Sequence, residues 1–161
     1  MKRPNFIHRL IHRVLMIRPV TEFLAPRTKA IDAFVFKLTN GKHTLTEFAG
    51  WNIVHVTTYG AKTGKEIKLI LIAIAHEGTL ALIASNFGRP NHPNWYFNLL
   101  KKPECKIQLN GVDQVCVARE AEGEEREKFW RLAVDHYAGY EKYKERAAPR
   151  RIPVMLLEPL K

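Results

Sequence analysis

Cysteine is scarce: the 161 residues hold only Cys105 and Cys116. That is too few for a disulfide framework and suggests a reducing, cytoplasmic setting. Long apolar runs are missing as well; none approaches the roughly 20 residues of a membrane span. The opening MKRPNFIHRLIHRVLMIRP has neither an unbroken hydrophobic region nor a small-residue cleavage site, so it does not read as a signal peptide. There is no GxSxG nucleophile elbow and no GxxxxGK[ST] phosphate loop, which removes two common signatures of hydrolysis and nucleotide binding. His8 and His12 stand four apart, as metal ligands can, but no third ligand accompanies them and no metal site is expected. Any chemistry would then be supplied by a bound organic cofactor. Repeats, low-complexity tracts and flexible linkers are also lacking.

Positive charge is abundant. Lys and Arg number 26 against 16 Asp and Glu, for a net charge of +10. The excess is uneven: residues 1–43 carry nine Lys/Arg against Glu22 and Asp32, a net +7. Such an end suggests an anionic partner: a phosphate-bearing cofactor, an acidic lipid surface or nucleic acid. Nucleic acid has only the charge in its favour and is not expected as a partner. Phe6, Ile7, Leu10, Ile11, Val14 and Leu15 recur at helical spacing with His8, Arg9, His12 and Arg13 between them. This predicts a basic amphipathic helix ended by Pro19. Two readings stay open for it. Either it packs on the domain with its charged side in water, or residues 1–18 lie on acidic lipid, peripheral to the inner face of the membrane.

Residues 28–38, TKAIDAFVFKL, predict a second short helix, and TNGKHT a turn. Strand-like segments follow at 51–59, 66–76, 79–85, 105–109 and 112–120, with a last strand in IPVMLLEP. Short strands joined by tight turns argue for an antiparallel sheet curled into a barrel. Asn110-Gly111 is a strong hairpin signal. It sets Cys105 opposite Cys116 at a hydrogen-bonded pair, where the alpha carbons are further apart, so free thiols are expected. EGEEREKFWRLAVDHYAGYEKY reads as one helix with acids in its first turn. The expected organisation is a helical extension over 1–43 and one barrel domain over 44–161.

Three stretches could carry chemistry. GAKTGKEIK (60–68) joins two strands, and its glycines can turn amide N–H groups inward beside Lys62, Lys65 and Lys68, as a phosphate requires. It reads equally as a solvated hairpin turn. SNFGRPNHPNWYFNLLKKP (85–103) is a rigid polar loop entering a brief helix. Pro93 suits its first turn and Pro103 its end. Such a loop, with Trp95 and Tyr96, would suit a flat anionic ring, although both aromatics also fit a core. In HYAGYEKY, Tyr137, Tyr140 and Tyr143 would share one helix face, where phenols either pack or donate hydrogen bonds.

Taken together, VTTYGAKTGK, IASNFGRPNHPNWYFNLLKKP, YAGYEKY and RRIPVMLLEP resemble the deazaflavin-dependent nitroreductase family, the quinone reductases that use reduced coenzyme F-420. The resemblance runs from about residue 45 to the C-terminus. It implies an α+β, mainly β fold: a split beta-barrel of the flavin-binding type with peripheral helices and the N-terminal helical extension. It also implies hydride transfer from the reduced deazaflavin to a quinone, nitroaromatic or enone-like acceptor, with coenzyme F-420 rather than FMN as cofactor. Lys62, Thr63, Gly64, Lys65 and Lys68 would surround the phosphate. Ser85, Asn86, Pro93, Trp95, Tyr96 and Asn98 would line the ring and its ribityl chain. Tyr137, Tyr140 and Tyr143 would face the acceptor, Tyr140 being the proton donor or orienting group. The chain departs from the family pattern at Ile67, where an Arg is usual, and at Phe87 and Arg89, which replace smaller residues. The alternative reading is a non-catalytic split barrel that binds a fatty acid, flavin or haem.

Overall fold

The computed structural model describes residues 6–24, 27–38, 51–109 and 111–160. It contains two compact units, residues 1–52 and 53–161. The expected turn TNGKHT and the expected domain boundary at 43/44 lie outside the described residues.

The first unit holds helices α1 (Phe6–Leu15), α2 (Arg18–Leu24) and α3 (Thr28–Leu38). Pro19 does not end α1 as expected. It sits in the first turn of α2, where a missing N–H costs nothing. The two-sided pattern of α1 is also imperfect. His12, expected among the charged residues, is buried and stacks on Trp51 with ring centroids 4.9 Å apart, while Val14 is exposed.

In the second unit, strands β1 (Ile53–Tyr59), β2 (Glu66–His76), β3 (Thr79–Ile83), β4 (Glu104–Leu109), β5 (Val112–Glu120) and β6 (Val154–Pro159) form a closed antiparallel barrel. Its strand order is β1-β2-β3-β6-β5-β4, and β4 returns to β1 through His55–Gln108, Val56–Ile107 and Thr57–Lys106. Closure leaves no unpaired edge strand. The alternation expected of a half-buried strand is plain in β1, where Val54, Val56 and Thr58 point inward and are buried. Leu109 pairs with Val112, so the two-residue hairpin sets Cys105 opposite Cys116 in the core, both thiols free. Burial pushes both thiols above their usual range, Cys105 to about 12 with a further contribution from Cys116. They are packing residues rather than nucleophiles.

Helix α4 (Asn94–Lys101) packs against β1 and β5. It contributes Leu99 to the barrel core, with Trp95 and Tyr96 at its margin. Helix α5 (Gly123–His136) covers β2, β3 and β6, and α6 (Gly139–Ala147) packs on the short turn Asn86–Gly88. The single helix expected over 122–143 is therefore two. The chain turns extended at Tyr137 (φ −149°), and the Tyr137 ring occupies the place of a side chain at Gly139. A Cβ there would fall 2.1 Å from the ring. This fold-back breaks the helix.

Candidate cofactor site

Four segments of the second unit join into one surface. After β1, the chain turns through residues 60–65, closed by Gly60 N–H to Lys65 O (2.8 Å) and Gly64 N–H to Gly60 O (2.7 Å). The buried Asn98 of α4 accepts the Ala61 N–H on its Oδ1 at 2.9 Å, which ties this loop to the helix. Lys62 and Lys65 project into solvent and make no ion pair among the described residues, whereas Lys68 lies 3.5 Å from Glu66 on the outer barrel face. Ile67 faces inward opposite Thr58 and packs beneath Gly60.

The second segment, residues 84–93, runs from β3 to α4. Asn86, Phe87 and Gly88 all have positive φ, at 49°, 58° and 77°. For the two non-glycine residues this costs on the order of 1–3 kcal/mol each and persists only where the surroundings impose it. The surroundings are specific. A Cβ at Gly88 would lie 2.8 Å from Arg146 Cβ and 3.0 Å from the Tyr143 carbonyl, so the turn sits directly on α6. Phe87 meets the Tyr143 ring edge-on, and Asn86 Nδ2 donates to Asn91 O at 2.9 Å. The N–H groups of Asn86 and Phe87 have no acceptor among the described residues. Ser85 in right-handed and Asn86 in left-handed conformation is the backbone pattern of an anion-binding nest.

His92 links this loop to α4 and to the C-terminal segment. Its ring lies tilted against Tyr96 with centroids 4.9 Å apart, and its Nδ1 lies 3.3 Å from Arg150 Nη1. Because a guanidinium only donates, Nδ1 is the acceptor and the neutral ring carries its proton on Nε2. Tyr96 in turn donates to Glu120 Oε2 at 2.7 Å; burial and this bond raise its phenol to about 12.

Tyr137, Tyr140 and Tyr143 do come together, though not along one helix. All three are buried, with ring centroids 5.5–6.2 Å apart. The hydroxyls of Tyr137 and Tyr143 share a hydrogen bond of 3.3 Å, while that of Tyr140 has none among the described residues. Burial, then the neighbouring phenols, push Tyr137 and Tyr140 far above the usual tyrosine range. Both stay neutral. Sequence reasoning missed Arg150, His92 and Gly88, which hold the segments around this site together. The RxIPV motif and the His-Pro pair were the signals available. A separate depression is lined by His76, Glu77, Lys128, Phe129 and Arg131; there Lys128 Nζ donates to Glu77 at 3.0 Å, His76 Nε2 lies 3.3 Å from Glu77, and Arg131 Nε donates to the Glu127 carbonyl.

A family model described as F420H(2)-dependent quinone reductase matches residues 30–159. The chain belongs to this family. Its cofactor is the deazaflavin coenzyme F-420, and the protein is a reductase dependent on it, which sets aside the non-catalytic alternative. The chain is 32% identical over 98 residues to Rv3178 of Mycobacterium tuberculosis (strain ATCC 25618 / H37Rv), provisionally named an F420H(2)-dependent quinone reductase. That match spans 61% of this chain and 82% of Rv3178. Among solved structures, an F420-H2-dependent reductase, FDR-A, is 42% identical with a TM-score of 0.62, over 66% of this chain and 94% of its own. A second, described as a domain-swapped dimer, is 36% identical with a TM-score of 0.63, over 88% and 96%. The chemistry of the reductase surface fits its cofactor. Uncommitted cations and free amides suit a phosphate and ring carbonyls, and flat aromatic surface suits the ring.

His92 gives this surface a pH dependence. Burial, then the Arg150 charge, lowers its pKa from the ordinary 6.5. A depressed value means that its stabilising contribution is present above pH 6.5 and is lost as pH falls through the lower folded value. Urea midpoints should therefore decline on acidification below pH 6.5, and less steeply in His92→Gln. Equal slopes in the two proteins would show that His92 does not titrate against Arg150.

Proposed function

We propose that residues 60–65, 85–98 and the tyrosine cluster form the coenzyme and acceptor site of a quinone-type reductase. The observation that carries this reading is their continuity. Asn98 joins the first loop to α4, His92 joins α4 to the second loop, and Phe87 with Gly88 joins that loop to Tyr143. Lys62 and Lys65, with Thr63 and Gly64, hold the phosphate, and Lys68 adds long-range attraction from the outer face. Ser85, Asn86, Pro93, Trp95, Tyr96 and Asn98 form the wall for the ring and its ribityl chain. When bound, the reduced coenzyme supplies the hydride.

The chain's own contribution is placement and polarity. Tyr140 keeps its proton because burial disfavours the phenolate, so it donates a hydrogen bond to the acceptor's carbonyl or nitro oxygen and fixes its orientation. Solvent completes protonation. Tyr137 and Tyr143 satisfy each other and wall the pocket. Quinones lead the acceptor classes, with nitroaromatics and enones accepted through the same hydrogen bond. Domain roles follow: 44–161 carries the cofactor, and 1–43 is an extension whose residues 1–18 contact the inner face of the membrane. Val14 and Ile17, large apolar residues exposed within this segment, support the reading. No helix among the described residues is long and apolar enough to cross a membrane.

A fluorescence titration with oxidised coenzyme tests the site. The double variant Lys62→Ala, Lys65→Ala should bind about tenfold or more weakly while keeping its melting temperature, since charge-assisted bonds contribute roughly 1.5–3 kcal/mol each; unchanged affinity would reject the phosphate assignment. Tyr140→Phe should leave coenzyme affinity intact and lower kcat/KM for a soluble quinone about tenfold, the loss of one hydrogen bond in the transition state. Wild-type turnover in that variant would remove Tyr140 from the mechanism. For the lipid contact, Arg9→Glu with Arg13→Glu in the full chain should abolish co-sedimentation with anionic vesicles; retained binding would reject it.

A further inference from the structure

We infer that Arg150 is a positioning residue for the cofactor wall: it holds the 84–92 loop in the shape that binds coenzyme without touching the coenzyme itself. The inference rests on the proposed site above.

Every N–H of its guanidinium is committed to that loop. Nε donates to Arg89 O at 3.1 Å, and Nη2 donates to Ser85 O at 2.8 Å and to Arg89 O at 2.9 Å. Nη1 donates to Ala84 O at 3.2 Å and faces His92 Nδ1 at 3.3 Å. These acceptors bracket the left-handed run Asn86, Phe87 and Gly88 on both sides. The carbonyls before and after the run are thus fixed by one rigid plane, which holds the strained turn in its left-handed shape. Donors so fully used leave nothing for a ligand. Arg89, by contrast, contributes only its carbonyl here and leaves its own side chain in solvent. The sequence thus places two arginines with opposite duties in one contact.

The planar fork is what the geometry needs. A lysine carries the charge but cannot reach carbonyls spread over residues 84, 85 and 89 at once. The test is coenzyme fluorescence titration and steady-state kinetics on the full chain, comparing wild type with Arg150→Lys and Arg150→Ala. Arg150→Lys keeps the stem and charge and is the variant least disturbing to folding. Coenzyme Kd should rise about tenfold, the equivalent of one or two hydrogen bonds lost from preorganisation. Turnover at saturating coenzyme and quinone should stay within about twofold of wild type, because the reacting groups are untouched. Millimolar guanidinium should restore affinity to Arg150→Ala, a rescue that a general loss of packing would not show.

A folded Arg150→Lys with wild-type Kd would overturn the inference. So would a fall in turnover at unchanged Kd, or an Arg150→Lys that fails to fold, which would make Arg150 a folding determinant instead. Wild-type protein that binds no coenzyme would sink the proposed site itself. That outcome is read from the same titration before any variant is compared.

Discussion

The pairing of β1 with β4 is the contact on which the site's geometry depends. Every other strand could be laid out in an open sheet; this pairing closes it. Closing it brings together segments some fifty residues apart, an entropic demand that grows only slowly with loop length. It is met by burying Val54, Val56, Ile107 and Leu99 in one interior. Full burial of such a side chain stabilises by roughly 1.5–3 kcal/mol. The loop after β1 and the helix before β4 are thereby set side by side, close enough for Asn98 to accept the Ala61 amide. The two halves of the proposed cofactor wall are adjacent because the barrel is closed.

The second loop obeys a different constraint. Its left-handed residues are unfavourable in isolation, so neighbours must impose them. Three do: α6 against Gly88, the Tyr143 ring against Phe87, and the Arg150 fork against the flanking carbonyls. Each neighbour comes from the last third of the chain, which explains why the loop and the C-terminal motif belong together as a sequence signature. The N–H groups of Asn86 and Phe87, which have no acceptor among the described residues, accompany this strained shape. A relaxed turn would spend them on its own carbonyls.

Much of this was legible in the sequence, and the failures have physical causes. Strand periodicity, the Asn110-Gly111 hairpin and the register of Cys105 with Cys116 followed from local rules. The helix break at Tyr137 did not, because it depends on an aromatic ring folding over Gly139, a tertiary event with no periodic signal. The three tyrosines share a cluster, but not one helix face. Their spacing suggested one helix face, while the structure assembles them across a break, with Tyr137 outside α6. Likewise Arg150 was visible only as one letter of a motif. Its role depends on the loop carbonyls it reaches, which sequence spacing cannot show.

Charge makes the same point more sharply. The net +10 suggested an anionic partner, yet the cations divide by commitment rather than by number. Arg119 is clamped by Glu125 and Glu158. Lys102 sits over the Tyr59 ring, and Arg126 is buried against the Ile152 carbonyl. Arg150 is saturated. None of these can turn to a phosphate without undoing a contact the fold uses. Lys62, Lys65 and Arg89 have no such obligation, and they lie on the two loops that form the proposed wall. Ile67 packs beneath Gly60 and gives the first loop apolar support. In the proposed site a phosphate meets flexible lysines above a well-packed turn. Lysines supply attraction with little directional hydrogen bonding, so in the proposed site orientation rests on the rigidity of the second loop.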